Sequence, residues 1–205
     1  MIKFFFIFFV FFIFCINIFA SNIIVSDEIV SFNNNSKNYR YEIIADKITY
    51  NEKKKKFFAC GNVLLIFKNY DSDKNFEIHS DFAIYNIHNK IGKMFGGDVF
   101  INHFKNDMTK IFTLKAKEIY LDINKNVFKA YDDVEIETLA CTIYSNNCVC
   151  DIKTFDVFLK SVRERPVANI FLRNKKIICE SNEMIFYNNK EIAMKGSVLC
   201  KINGM

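Results

Sequence analysis

One short pattern returns five times along this 205-residue chain: apolar, any, apolar, any, small, polar, any, apolar, any, apolar. Its copies are Tyr41-Ile43-Ala45-Asp46-Ile48-Tyr50, Phe76-Ile78-Ser80-Asp81-Ala83-Tyr85, Phe112-Leu114-Ala116-Lys117-Ile119-Leu121, Cys141-Ile143-Ser145-Asn146-Cys148-Cys150 and Ile177-Cys179-Ser181-Asn182-Met184-Phe186. The polar anchors at 46, 81, 117, 146 and 182 are spaced by 35, 36, 29 and 36 residues. A period of this size marks a repeat architecture, in which each unit buries its apolar face only against its neighbours. Such a stack makes an elongated surface or trough rather than a compact catalytic pocket.

The second half of each unit alternates at period two. It reads Phe57-x-Ala59-x-Gly61-x-Val63-x-Leu65, Phe95-x-Gly97-x-Val99-x-Ile101, Phe128-x-Ala130-x-Asp132-x-Val134-x-Ile136 and Ile192-x-Met194-x-Gly196-x-Val198-x-Cys200. The fourth unit keeps only Val157-x-Leu159. This alternation specifies strands with one face on a core, leaving Asn62, Asp98, Asp133 and Ser197 outward. In the first half the apolar phase jumps from Ala45 to Ile48. A strict strand would place residue 47 inside, so the jump predicts a bulge or bend at the small-polar pair. Gly61, inside a strand pattern, points to the same irregularity. Polar, Asn-rich segments after Tyr50, Tyr85, Leu121 and Phe186 read as hairpin turns. Arg163-Glu164-Arg165-Pro166 is the main irregular connection. No stretch beyond residue 25 carries a 3.6-residue apolar stripe. The expectation is an all-β chain of roughly 12 to 16 short antiparallel strands.

Met1-Ile2-Lys3 precedes an unbroken apolar run from Phe4 to Ile16, followed by Asn17-Ile18-Phe19-Ala20-Ser21. That layout is a secretory signal over residues 1–20, cleaved after Ala20, or else an uncleaved membrane anchor. Phe14 is too bulky to precede a lipidated Cys15. Residues 21–40 form a linker or first strand, and 41–205 the β domain. The formal charge of +5 falls to +4 without Lys3, a mild excess that suits an anionic partner. Lys53 to Lys56 reads as a solvated turn.

A compartment outside the cytoplasm permits disulfides, and six cysteines lie beyond the leader. Cys141, Cys148, Cys150 and Cys179 occupy pattern positions held elsewhere by Tyr, Ile, Leu or Phe, and Cys200 lies in phase with its strand. Both a role as small buried hydrophobes and one or more disulfides fit. Cys148-Val149-Cys150 is a lone CxC, too little for a metal site. His79, His88 and His103 fall in different units without a local nucleophile. Asp46 and Asp81 occupy equivalent bends where Lys117 and Asn146 stand in other copies. There is no glycine-rich phosphate loop and no basic-aromatic nucleic-acid motif. No catalytic residue, cofactor, metal or nucleic-acid partner is expected.

Ile44-Ala45-Asp46-Lys47-Ile48-Thr49-Tyr50, followed by Ala59-Cys60-Gly61-Asn62-Val63, resembles the OstA-like (LptA) family of lipopolysaccharide-transport proteins. The pattern returns as Ser80-Asp81 with Gly97-Asp98-Val99, and as Asn182-Glu183-Met184 with Gly196-Ser197-Val198. The resemblance spans residues 41–203. It implies an open, twisted antiparallel β-jellyroll, two sheets folded like a taco with an apolar inside. It further implies a periplasmic protein that carries the lipid A acyl chains of lipopolysaccharide. Similar jellyroll-domain proteins of the inner and outer membrane, or further copies head to tail, would join it by end-to-end strand pairing into a bridge. The fourth copy departs from the family pattern through its cysteines. A membrane-anchored member of the LptC type shares the same fold.

On the residues themselves, an unclosed pair of sheets leaves an apolar trough and unpaired end strands. Burying an acyl chain contributes about 0.8 kcal/mol per CH2, so an apolar lining suffices without a reactive group. The lining candidates are Ile43, Ile48, Tyr50, Val63, Leu65, Ile78, Tyr85, Val99, Ile101, Leu114, Ile119, Leu121, Val134, Ile136, Met184, Phe186 and Val198. The expected edges are the strands near Tyr39 to Ile44 and Ser197 to Ile202, available for pairing with a partner. Two other classes stay open: a structural β-repeat envelope protein without lipid binding, and a secreted carbohydrate-active protein, against which the absence of Trp counts.

Overall fold

The computed structural model describes residues 23–26, 29–34, 39–69, 75–105, 109–160, 164–172, 175–187 and 191–204. The leader assigned to residues 1–20 lies outside the described residues. Sixteen antiparallel strands and no helix make up the described chain. They are β1 (Ile23–Ser26), β2 (Ile29–Asn34), β3 (Tyr39–Ile44), β4 (Lys47–Asn51), β5 (Lys56–Asn69), β6 (Asn75–Asn86), β7 (Ile91–Phe104) and β8 (Lys110–Asp122). They continue with β9 (Val127–Glu137), β10 (Cys141–Asp151), β11 (Val157–Lys160), β12 (Val167–Leu172), β13 (Lys175–Glu180), β14 (Glu183–Phe186), β15 (Ile192–Lys195) and β16 (Leu199–Gly204).

Strand pairing divides these into two layers. Lys56–Cys60 of β5 pairs with β4, whereas its Leu64–Asn69 pairs with β3. The same split runs through β10, whose Cys141–Tyr144 pairs with β12 and whose Cys148–Cys150 pairs with β11. Layer 1 therefore runs β1, β4, the outer halves of β5 to β10, β11, β14 and β15. Layer 2 runs β2, β3, the other halves of β5 to β10, β12, β13 and β16. Strands β5 to β10 cross from one layer to the other, and their bends make a common crease. The result is an open, twisted antiparallel β-jellyroll. Segment 21–40 supplies β1 and β2, so β3 is covered on both sides by β2 and β5 and is not an edge. At the other end β16 pairs only with β13 and β15 only with β14 among the described strands.

The crease sits where the phase jump put it. The registers slip between Cys60 and Val63, His79 and Phe82, Phe95 and Val99, Lys115 and Glu118, and Ser145 and Asn147. The small residues before the anchors, Ala45, Ser80, Ala116, Ser145 and Ser181, are all buried. The three serines make one and the same contact, each hydroxyl donating to the carbonyl two residues on. Ser80 reaches Phe82 at 3.0 Å, Ser145 reaches Asn147 at 2.9 Å and Ser181 reaches Glu183 at 2.7 Å. A local side-chain bond of this kind satisfies a carbonyl that the interrupted ladder leaves over. The strand opposite bends through left-handed pairs: Gly61-Asn62, Gly96-Gly97 and Asp132-Asp133 all have positive φ. Side-chain room as well as φ fixes glycine here. A Cβ at Gly61 would run into the Asp46 carboxylate, and one at Gly196 would stand 2.7 Å from Asn182 Nδ2. Asp46 also accepts from Asn62 Nδ2 at 3.0 Å, so the anchor and the glycine form one fitted unit.

The outside of layer 1 carries a row of cross-strand rings. Phe58 stacks on Phe82 at 6.3 Å, Phe82 on Phe95 at 5.5 Å, and Tyr120 meets Tyr131 edge-on at 5.5 Å. Lys93 spans Phe95 and Tyr120 and bonds Glu118 at 2.8 Å, which holds that carboxyl below its ordinary value. Near the crease Lys115 and Lys117 clamp Asp98 at 2.8 and 2.7 Å, and their hydrogen bonds lower its carboxyl likewise. These pairs are solvated, so they tune register more than stability.

Candidate functional site

Period-two alternation turns one face of each layer toward the other, and the two faces meet in a single apolar interior. Layer 2 contributes Ile43, Val63, Leu65, Ile78, Val99, Ile101, Leu114, Val134 and Ile136, and layer 1 contributes Ile48, Tyr85, Ile119, Leu121, Met184 and Phe186; all are buried. Tyr50 is half-buried at the rim, its ring 4.7 Å from that of Phe57. Val198 departs from the expectation. It is 48% exposed, because it precedes β16, the last strand of layer 2, which has no neighbour beyond it among the described strands.

Aromatic rings close the rim opposite the crease, a feature beyond the expected aliphatic lining. Phe76 of layer 2 lies 6.3 Å from Phe128 of layer 1, and Phe112 lies 5.9 Å from Phe186, edge to face. Phe67 stacks on Phe76 at 4.6 Å and meets Tyr41 at 4.9 Å. His103, fully buried, lies 5.1 Å from Phe112 and stacks on Phe155 at 3.8 Å. Phe76, Phe112 and Phe128 begin their half-units, so a signal was present. Phe155 falls outside the pattern.

Towards its C-terminal end the interior is progressively uncovered. In one cross-strand row of layer 2, Cys141 is buried, Ile170 and Ile177 are half-buried, and Ile202 is 64% exposed. Beside it the Cys179–Cys200 disulfide joins directly opposed positions of β13 and β16. Cys141, Cys148 and Cys150 are buried thiols and Cys60 is a half-buried one, none of them in a disulfide. The six cysteines thus divide between the two roles left open by their spacing.

Chemically the interior offers dispersion and little else. Its buried serine hydroxyls are committed to backbone carbonyls. Burial pushes the Cys148 thiol up to about 12 and raises Cys141, so neither ionises near neutrality. Iodoacetamide applied to the native chain is therefore expected to label Cys60 and spare Cys141, Cys148 and Cys150, with mass spectrometry of the digest as readout. Rapid labelling of Cys148 would mean that the interior opens to water. Among the described residues no group of three His, Cys, Asp or Glu side chains is placed to hold a metal ion. No described helix is long and apolar enough to cross a membrane. A cleft of about 490 Å³ between Glu118, Tyr120, Lys129 and Tyr131 lies on the outside of layer 1, away from this interior.

No family model matches the chain, and no curated protein matches it. A solved structure does: LptH of Pseudomonas aeruginosa, described as the LptA-homologous periplasmic component of the lipopolysaccharide transport device. The match has a TM-score of 0.51 at 12% identity, over 65% of this chain and 94% of that one. At this identity the likeness establishes a shared fold, the two-layered open jellyroll.

Proposed function

We propose that this chain is a periplasmic lipopolysaccharide-transport protein that holds lipid A acyl chains between its two layers. The observation that supports this most is the predominantly apolar interior of a jellyroll that aligns with nearly the whole length of a lipopolysaccharide-transport component. The reading needs no catalytic group, because apolar contact is enough to hold an acyl chain. The uncovered C-terminal strands fit the second part of the proposal, end-to-end strand pairing with other jellyroll-domain proteins or further copies into a bridge between membranes. In the same proposal residues 1–20 are the secretion leader, removed after Ala20.

The test is photo-crosslinking in the cell envelope, with a photoreactive residue at Ile119 or Tyr50 and at the outward Asp98 as control. Lipopolysaccharide adducts are expected at Ile119 and Tyr50 and not at Asp98. A folded protein without adducts at either inward position would leave a structural β-repeat protein as the better reading.

A further inference from the structure

Four rim turns of layer 1 are built alike, and one of them carries the wrong kind of residue. Each follows an Asn or Asp: Asn51, Asn86, Asp122 and Asp151. In each, the side-chain oxygen of that residue accepts from the turn's backbone: Lys54 N at 2.9 Å, His88 N at 2.9 Å, Lys125 N at 3.1 Å and Lys153 N at 2.7 Å. In each, the fourth residue onward takes a left-handed conformation: Lys55 (φ 49°), Lys90 (φ 53°), Asn126 (φ 53°) and Phe155 (φ 60°). Asn suits that conformation and an exposed lysine tolerates it, whereas a bulky aromatic is an outlier there. The strain persists only where surroundings hold it. Lys55 and Lys90 point to solvent, while Phe155 is fully buried. Its ring crosses from layer 1 to layer 2, lying flat on His103 at 3.8 Å and edge-on to Phe76 at 5.8 Å.

We propose that the Asp151–Asp156 turn is a gate across the rim, that Phe155 shuts it, and that an acyl chain enters the interior by displacing that ring. The inference rests on the lipid-carrying reading above. Two features define how the turn can move. The pairing of β10 with β11 ends at Cys150 and Val157, so the ring can swing out without breaking a ladder. The base of the turn is tied, Asp151 N to Asp156 O at 3.1 Å and Ile152 N to Asn126 O of the neighbouring turn at 2.8 Å, so the movement is confined to the tip that carries Phe155, whose N bonds Asp151 O within the turn at 2.7 Å. Release of the ring relieves the left-handed strain. It also exposes Phe76 and His103, so an apolar replacement is needed to keep the gate open. An acyl chain meets both conditions.

The experiment compares wild type with Phe155→Gly, using uptake of the fluorescent fatty acid cis-parinaric acid followed by stopped flow. Glycine keeps the left-handed turn without strain, so the variant retains the backbone while losing the ring. The expected result is an association rate raised about tenfold, the effect of removing a barrier of moderate height. Equal rates in two proteins that both take up the fatty acid would overturn the gate and leave the carrier reading standing. Uptake by neither would overturn both. A second variant, Phe155→Trp, places the only tryptophan of the chain at the gate. Its emission is expected to shift to the red when lipid A is added. An unchanged spectrum at saturating lipid A would also overturn the gate.

Discussion

Phe76→Ala is expected to destabilise the protein by about 3–5 kcal/mol, the range for removing a fully buried phenylalanine from a packed interior. The residue has no exposure and contacts rings on three sides: Phe67 in its own layer, Phe128 across the interior and Phe155 from the turn. Phe67 and Phe128 sit on hydrogen-bonded strands that cannot close over the gap, so the cavity term adds to the lost transfer energy. A loss of this size is a large share of what holds a domain folded. Phe58→Ala is the control. That ring lies outside layer 1, is 39% exposed and stacks on Phe82, and its removal should cost under about 1 kcal/mol. Urea midpoints with unchanged slopes would measure both. A Phe76 effect no larger than the Phe58 effect would mean that the aromatic closure of the rim does not form.

Removing the Cys179–Cys200 bond, by Cys179→Ala with Cys200→Ala, is expected to cost about 3 kcal/mol, given the sequence separation of 21 between its ends. The strand it anchors has little else to hold it. Among the described strands β16 pairs on one side only, and its Leu199 and Ile202 are each 64% exposed. Hydrogen exchange should therefore accelerate first over Leu199–Gly204, before the rest of layer 2 changes. Identical urea midpoints for the oxidised chain and the double variant, with equal protection of β16, would show that the bond contributes nothing to holding that edge.

Much of this architecture could be read from the residues, because its two main signals are local. Alternation at period two put Ile78, Leu114 and Ile136 inside, and burial follows. The jump from Ala45 to Ile48 marked the crease, and the small residue at each copy is buried there. What escaped depends on neighbours rather than on phase. Val63 and Val198 hold equivalent places in their units, yet Val63 is buried beneath flanking strands and Val198 stands at an edge. Tyr39 to Ile44 looked like an edge because the Asn-rich segment before it hid β2. Phe155 was illegible in the apolar pattern. It becomes legible only when the four Asn or Asp turns are aligned with one another, which places a phenylalanine where lysine or asparagine stands in the others.

Because β5 to β10 each belong to both layers, the layers cannot slide past one another without tearing strands. Shear is closed to the molecule, and the one soft coordinate left is the wedge angle about the crease. Space gained on opening therefore grows with distance from the crease and is greatest at the rim. A flexible cargo would lie lengthwise along that margin, parallel to the stacking axis, and a bulkier one would be met by a wider angle rather than by a longer molecule.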